Sequence, residues 1–361
     1  MRKGVITFAA VGLVASLGLV ACSQPQETGG TEDRPKVGVI LPDQASAVRW
    51  ETADRRYLEE AFEAADIDYE IVNAQGSTEN FLTLADQLIT SGIDILMIVN
   101  LDSGSGAAAL QKARNAGVKT IDYDRLTLNG GADYYVSFDN VEVGRLQARG
   151  LIKCLEDMGV ENPRIVYLNG SPTDNNATLF REGYDGVLQD KYKEGWVFVD
   201  ERSVPDWSGT EGITLFEQMF TAHGGGIDGV LAANDTLGNS AITVLRSNGL
   251  NGKVPVTGQD ASTAGLQNIL AGDQCMTVYK AIKKEANAAA ELAIALAKGE
   301  TPAGLTTVHD PEGNRDVPSK LETPVAIFKD NVKDVVDDGF VTVQELCTAD
   351  FAALCEEAGI S

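Results

Sequence analysis

From Lys36 onward, short apolar runs recur along the chain at 37–41, 69–72, 93–99, 119–123, 134–138, 164–168, 196–199, 229–233, 254–257, 276–279 and 325–328. Many are spaced as βαβ units are, about 25 to 35 residues apart. The segments between several of them carry a helical period instead. Phe81, Leu84, Ala85, Leu88 and Ile89 share one face before Gly92, as do Phe180, Tyr184, Val187 and Leu188. Leu237, Ala241, Val244 and Leu245 do the same, with Gly249 placed as a C-cap. This alternation predicts parallel strands covered by helices on both faces. Eleven runs exceed what one open, twisted sheet usually carries. The expected fold is therefore α/β, with two doubly wound lobes of five or six strands each.

The polar residues that end these runs are the more informative pattern. Leu41 leads into Pro42-Asp43, Val99 into Asn100, and Ile121 into Asp122-Tyr123-Asp124-Arg125. Leu168 leads into Asn169, Ala233 into Asn234-Asp235, and Thr257 into Gly258-Gln259-Asp260. One such residue alone is explained as the cap of the following helix. Six of them, from both halves of the chain, predict a ligand crevice at the carboxyl ends of the strands.

The amino terminus reads as an address. Met1-Arg2-Lys3 precedes an apolar stretch over 4–21 that ends in small and aliphatic residues before Cys22. Residues 1–21 resemble a bacterial lipoprotein signal, cut before a cysteine whose thiol is then lipidated. A transmembrane anchor is the alternative, since 18 residues can just span a bilayer. Both place the body outside the cytoplasm, and the lipoprotein reading anchors it to the cell membrane through Cys22. Residues 22–35, polar with Gly29-Gly30 and two prolines, form a flexible tether. Cys154, Cys275, Cys347 and Cys355 remain, with no Cys-x-x-Cys pair to suggest zinc. Two disulfides are expected outside the cytoplasm, with three possible pairings. The short separation of Cys347 and Cys355 favours that pair, leaving Cys154 with Cys275; buried free thiols are the alternative.

Charge and motifs then narrow the chemistry. The 361 residues carry 29 Lys+Arg against 53 Asp+Glu, a net charge of −24. Such a surface repels phosphate backbones, so no nucleic-acid partner is expected. No nucleophile elbow, phosphate loop or zinc-protease motif occurs, and no metal or cofactor is implied. His223-Gly224-Gly225-Gly226 has no serine nucleophile to serve and reads as a turn. Gly104-Ser105-Gly106-Ala107-Ala108-Ala109 is read as a small-residue helix start rather than a dinucleotide loop. The inventory suits a neutral, polyhydroxylated small molecule. Sugar hydroxyls both donate and accept, so they need carboxylates, amides and cations together. The apolar C–H faces of the ring suit an indole, and Trp50 and Trp207 lie in polar surroundings, whereas Trp196 opens an apolar strand.

At Tyr123-Asp124-Arg125, Ser137-Phe138-Asp139-Asn140, 170–177 with Phe180-Arg181, Gly258-Gln259-Asp260-Ala261 and 276–280, the chain resembles the periplasmic sugar-binding proteins of ABC importers. Within that family the xylose binders are the most similar. The resemblance runs in order from about Lys36 to Phe340. It implies the type I periplasmic binding protein architecture: two Rossmann-like lobes joined by a three-strand hinge and closing on one sugar. The implied lobes are 36–137 with 280–317, and 138–279 with 318–361. Matched motif to motif, the first lobe would supply Arg49, Trp50, Asp124 and Arg125. The second would supply Asn176, Arg181, Trp207, Asn234 and Asp260, with Lys280 at a crossing. Trp50 and Trp207 would stack, Asp124 and Asp260 accept, and Arg49, Arg125, Arg181 and Lys280 donate; Asn176 and Asn234 would do both. Ser46-Ala47-Val48 is less charged than in the xylose binders and closer to the glucose and galactose binders. The implied protein is a monomeric, non-enzymatic receptor that binds a monosaccharide, xylose first, and delivers it to an ABC permease. A glucose/galactose receptor or a sugar-sensing subunit is the alternative. A sugar-responsive regulator would need a basic DNA-binding segment ahead of the first strand.

Overall fold

The computed structural model describes residues 34–361. The expected signal over 1–21, the lipidated Cys22 and the tether up to residue 33 lie outside the described residues. In chain order the body begins with β1 (Lys36–Leu41), a π-helical turn Trp50–Asp54, α1 (Arg55–Ala64), β2 (Asp68–Asn73), α2 (Thr78–Thr90), β3 (Ile95–Ile98), α3 (Ser103–Asn115), β4 (Lys119–Tyr123) and β5 (Tyr134–Phe138). It continues through α4 (Asn140–Asp157), β6 (Arg164–Asn169), α5 (Asn175–Lys193), β7 (Val197–Ser203), α6 (Gly209–Ala222), β8 (Gly229–Ala232), α7 (Asp235–Ser247), α8 (Thr263–Ala271) and β9 (Thr277–Tyr279). The remainder is α9 (Ile282–Ala297), β10 (Thr306–Asp310), β11 (Arg315–Glu322), β12 (Val325–Ile327), α10 (Val332–Asp337), α11 (Val343–Leu346) and α12 (Ala352–Glu357).

The first lobe is built on one sheet in the order β10-β11-β5-β4-β3-β1-β2. Every pair is parallel except the β10–β11 hairpin. Alternate residues of its strands feed two cores. Val37, Val39, Ile95 and Met97 pack with α1 and α9, while Ile40, Leu96 and Ile98 pack with α2 and α3. A strand buried on both faces has no polar side to show, which is why these runs are continuously apolar. In the second lobe β7-β6-β8 are parallel and β9 pairs antiparallel with β12. Its core gathers α4–α7 around these strands.

Three expectations need correction. Residues 254–257 make only a single bridge, Val230 with Val256, because Pro255 has no N–H for a ladder. β10 and β11 were not foreseen at all. As an edge hairpin they are largely polar, so no apolar run marks them. The division between lobes after residue 317 also falls too early: Ser319–Glu322 of β11 pairs with Tyr135–Phe138 of β5, so 318–322 stay on the first sheet. The chain passes between the lobes at 138–140, 279–282 and 322–325.

Helix starts are capped by the residue types found at the strand ends. Asp102, Asp139, Asp174, Asn234 and Ser262 each accept a hydrogen bond from a first-turn N–H. Helices α4 and α5 meet at backbone distance. A Cβ on Gly144 would overlap the Phe180 carbonyl, and one on Gly183 the Val141 carbonyl. Disulfides join Cys154 to Cys275 and Cys347 to Cys355. The first ties α4 to the segment entering β9; the second closes the tail that packs on α8. Among the described residues no helix is long and apolar enough to cross a membrane.

Candidate functional site

The carboxyl ends of strands from both lobes converge on one cavity of about 320 Å³, counting the part open to solvent. Arg49, Trp50, Asp124 and Arg125 line it from the first lobe; Asn176, Trp207, Asn234 and Asp260 line it from the second, with Lys280 at the crossing. Nine of the ten residues singled out in the sequence therefore share one space. The tenth does not. Arg181 pairs with Glu201 (2.9 Å) and Asp185 (2.7 Å) on the flank of α5. Its neighbour Phe180 lines the cavity, one helical turn after Asn176. A residue one position on is rotated by roughly 100°, and that rotation carries Arg181 to β7.

Three of the lining residues carry backbone strain. Asp124 (φ 62°), Trp207 (φ 56°) and Asp260 (φ 94°) are all left-handed non-glycine residues. At the end of β4 this turns the Asp124 carbonyl back onto Ser137 Oγ (2.7 Å) and Tyr135 Oη (3.2 Å), which both donate to it. The carboxylate faces inward, 2.9 Å from Arg49 Nη2 and 3.5 Å from Lys280 Nζ. Burial opposes its charge, but Lys280, Arg49 and Arg125 outweigh burial and hold the carboxyl well below the usual carboxylate range. Lys280 Nζ also lies 3.6 Å from Asp260 Oδ1, so one ammonium spans the acids of both lobes.

The lobes touch directly. Asn176 Nδ2 donates to Asp124 O and Oδ1, both at 3.0 Å. Arg125 Nε sits 2.9 Å from Asp174 Oδ2, off the N–H direction and thus an ionic contact. Both indole N–H groups are tied down: Trp207 Nε1 donates to Asp174 Oδ2 (3.1 Å) and Trp50 Nε1 to Ser46 Oγ (3.1 Å). The Arg49 guanidinium carbon lies 4.0 Å from the Trp50 ring centroid, covering one face of that indole. Trp207 packs against Gly170, where any Cβ would overlap its Cη2, Cζ2 and Cζ3 atoms. Trp196 lies outside this space, half-buried ahead of β7.

Asn234 both lines the cavity and caps α7, accepting from Leu237 N at 2.9 Å, so its two readings coexist. Asn176 caps nothing; Asp174 is the cap of α5. Sequence reasoning missed Ser46, Ala47, Asp174, Phe180 and Gln259 on the cavity wall. Gln259 had a signal, since it sits beside Asp260 at a strand end, and its buried Oε1 has no partner in the protein.

A periplasmic binding protein domain is matched over residues 37–301. This chain belongs to the periplasmic binding protein family. Of periplasmic binding proteins, the D-xylose-binding periplasmic protein of Escherichia coli K12 is 36% identical over 313 residues, 86% of this chain and 92% of its own length. The multiple sugar-binding periplasmic receptor ChvE of Rhizobium radiobacter is 32% identical over 322 residues, 85% of this chain and 90% of its own. A carbohydrate transporter solute-binding protein from Chloroflexus aurantiacus, solved with D-glucose, superposes with a TM-score of 0.77 at 31% identity, covering 86% of this chain and 97% of its own. The architecture is the type I periplasmic binding protein fold, and the chain is an extracytoplasmic solute-binding protein rather than an enzyme.

Proposed function

We propose that this periplasmic binding protein is the lipid-anchored receptor of an ABC sugar importer, capturing one neutral monosaccharide, with D-xylose the first choice. The observation that carries the reading is the lining of the cavity: indoles, carboxylates, amides and cations from two lobes converge on one space. The E. coli relative's name supports xylose. A sugar would contact both lobes only when they are closed, so its binding shifts the equilibrium toward closure. The crossings at 138–140, 279–282 and 322–325 would act as the hinge. The permease would then recognise the closed shape. A micromolar dissociation constant corresponds to about −8.2 kcal/mol, within reach of a few charge-assisted bonds and a stacking face.

Titration with D-xylose, D-glucose, D-galactose, L-arabinose and D-ribose, followed by heat and tryptophan emission, tests this. D-xylose should bind and change emission, because two of the three tryptophans line the cavity. Absence of binding by all five would remove the assignment. D-glucose is the second reading, supported by the Chloroflexus structure; it prevails if glucose binds more tightly than xylose. The anchor is tested separately. Cys22→Ser should move the protein from the membrane to the soluble fraction, and a variant that stays on the membrane would refute lipidation.

A further inference from the structure

Besides Asp124 on the cavity wall, 2.9 Å from Nη2, Arg49 is held by residues that do not line the cavity. The π-helical turn Trp50–Asp54 closes with Arg55 N–H donating to Trp50 O, five residues back. In a regular α-helix residues five apart lie roughly 140° apart around the axis; the wider π winding lets Asp54 fold back beneath Arg49. Arg49 Nε and Nη2 donate to the two oxygens of Asp54 at 3.1 and 3.2 Å. Tyr123 Oη donates to Asp54 Oδ1 at 2.7 Å and fixes it from β4. Glu285, fully buried on α9, places Oε2 3.5 Å from Arg49 Nη2, while its Oε1 has no partner in the protein. Nη1 of Arg49 is buried, is without a partner, and belongs to a side chain on the cavity wall. The remaining surface of the guanidinium rests against Trp50.

We propose that Asp54 and Glu285 are positioning residues that lock Arg49 against Trp50 before ligand arrives, leaving Nη1 as the edge presented to the sugar. This rests on the sugar-binding reading of the cavity above. The physical rationale is preorganisation. A free arginine loses rotamer entropy on binding, and a guanidinium already clamped by carboxylates has lost it during folding. Two carboxyls are buried to do so. Burial pushes Asp54 up to about 6 despite Arg49, and burial with Asp124 nearby raises Glu285 well above its ordinary value. Both are poorly solvated acids that a stability-optimised core would not retain.

The test is a double-mutant cycle on the full-length protein with D-xylose and D-glucose as probes. Asp54→Asn should weaken binding by about ten- to a hundredfold in the wild-type background and by less than about threefold in the Arg49→Lys background. Glu285→Gln, run through the same cycle, should behave alike with a smaller loss, and it carries the test if Asp54→Asn does not fold. Equal losses in both backgrounds, or no loss in either, would overturn the inference. A second readout needs no sugar: the ¹⁵N side-chain Nε–H signal of Arg49, assigned by its absence in Arg49→Lys, should be slow to exchange in the ligand-free wild type and fast in Asp54→Asn. An unchanged signal overturns the inference. Binding of neither sugar to the wild type would instead fault the ligand reading, with the Arg49 signal still deciding this one.

Discussion

Asp124→Asn is expected to weaken monosaccharide binding by a hundredfold or more, ~3 kcal/mol. Asn is nearly isosteric and keeps the backbone carbonyl that Asn176 contacts at 3.0 Å, so the lobes can still meet. What is lost is the shared anion among Arg49, Lys280 and Arg125. Three cations would then face the cavity with one counter-ion fewer, and like charges would resist closure. Calorimetry with D-xylose measures the loss; an affinity within a few-fold of the wild type would mean that Asp124 is not central to the site. The sign with pH is fixed by the same neighbours. Because the folded-state pKa is depressed, the contribution of Asp124 is complete above the unfolded value of about 3.9 and fades only as pH falls toward the lower folded value. Mild acidification should therefore spare this anion.

The second large effect is expected from a methyl group. Gly170→Ala places a Cβ where the Trp207 ring now lies, overlapping three of its atoms. Phe180 packs against the indole, with ring centroids 6.4 Å apart, and Nε1 is held by Asp174. The ring then has one direction to yield, into the cavity. Affinity should fall on the order of ten- to a hundredfold, the 1–3 kcal/mol typical of overpacking. Adding Trp207→Phe to Gly170→Ala, which shrinks the ring, should recover part of the loss. If the double variant binds no better than Gly170→Ala alone, the indole is not the affected group.

How much of this was visible in the sequence follows from what each residue answers to. Strand ends such as Ile121-Asp122-Tyr123-Asp124 were legible because buried parallel strands are continuously apolar, so a carboxylate breaks the pattern abruptly. Asn234 was legible for the same reason, although capping and ligand-lining cannot be told apart by residue type. Arg181 was misplaced because resemblance locates a helix but not the rotation of one residue about its axis. Asp54 gave no signal, since a spacing of five from Arg49 means contact only in a π winding. Glu285 follows Lys283-Lys284 and reads as a solvated helix residue, yet it is fully buried. The β10–β11 hairpin was invisible because β10 forms the sheet edge and both strands are largely polar, so no apolar run marks them.

The backbone-to-backbone meeting of α4 and α5 at Gly144 and Gly183 has a mechanical consequence. Helix α4 starts at the first passage between the lobes, and the opening turn of α5 carries Asn176, whose Oδ1 accepts from Asn140 Nδ2 at 2.9 Å. With no side chain between them at that crossing, the two helices would move together. If the lobes close by torsion around Asp139, that rotation would be passed to the amide that contacts Asp124.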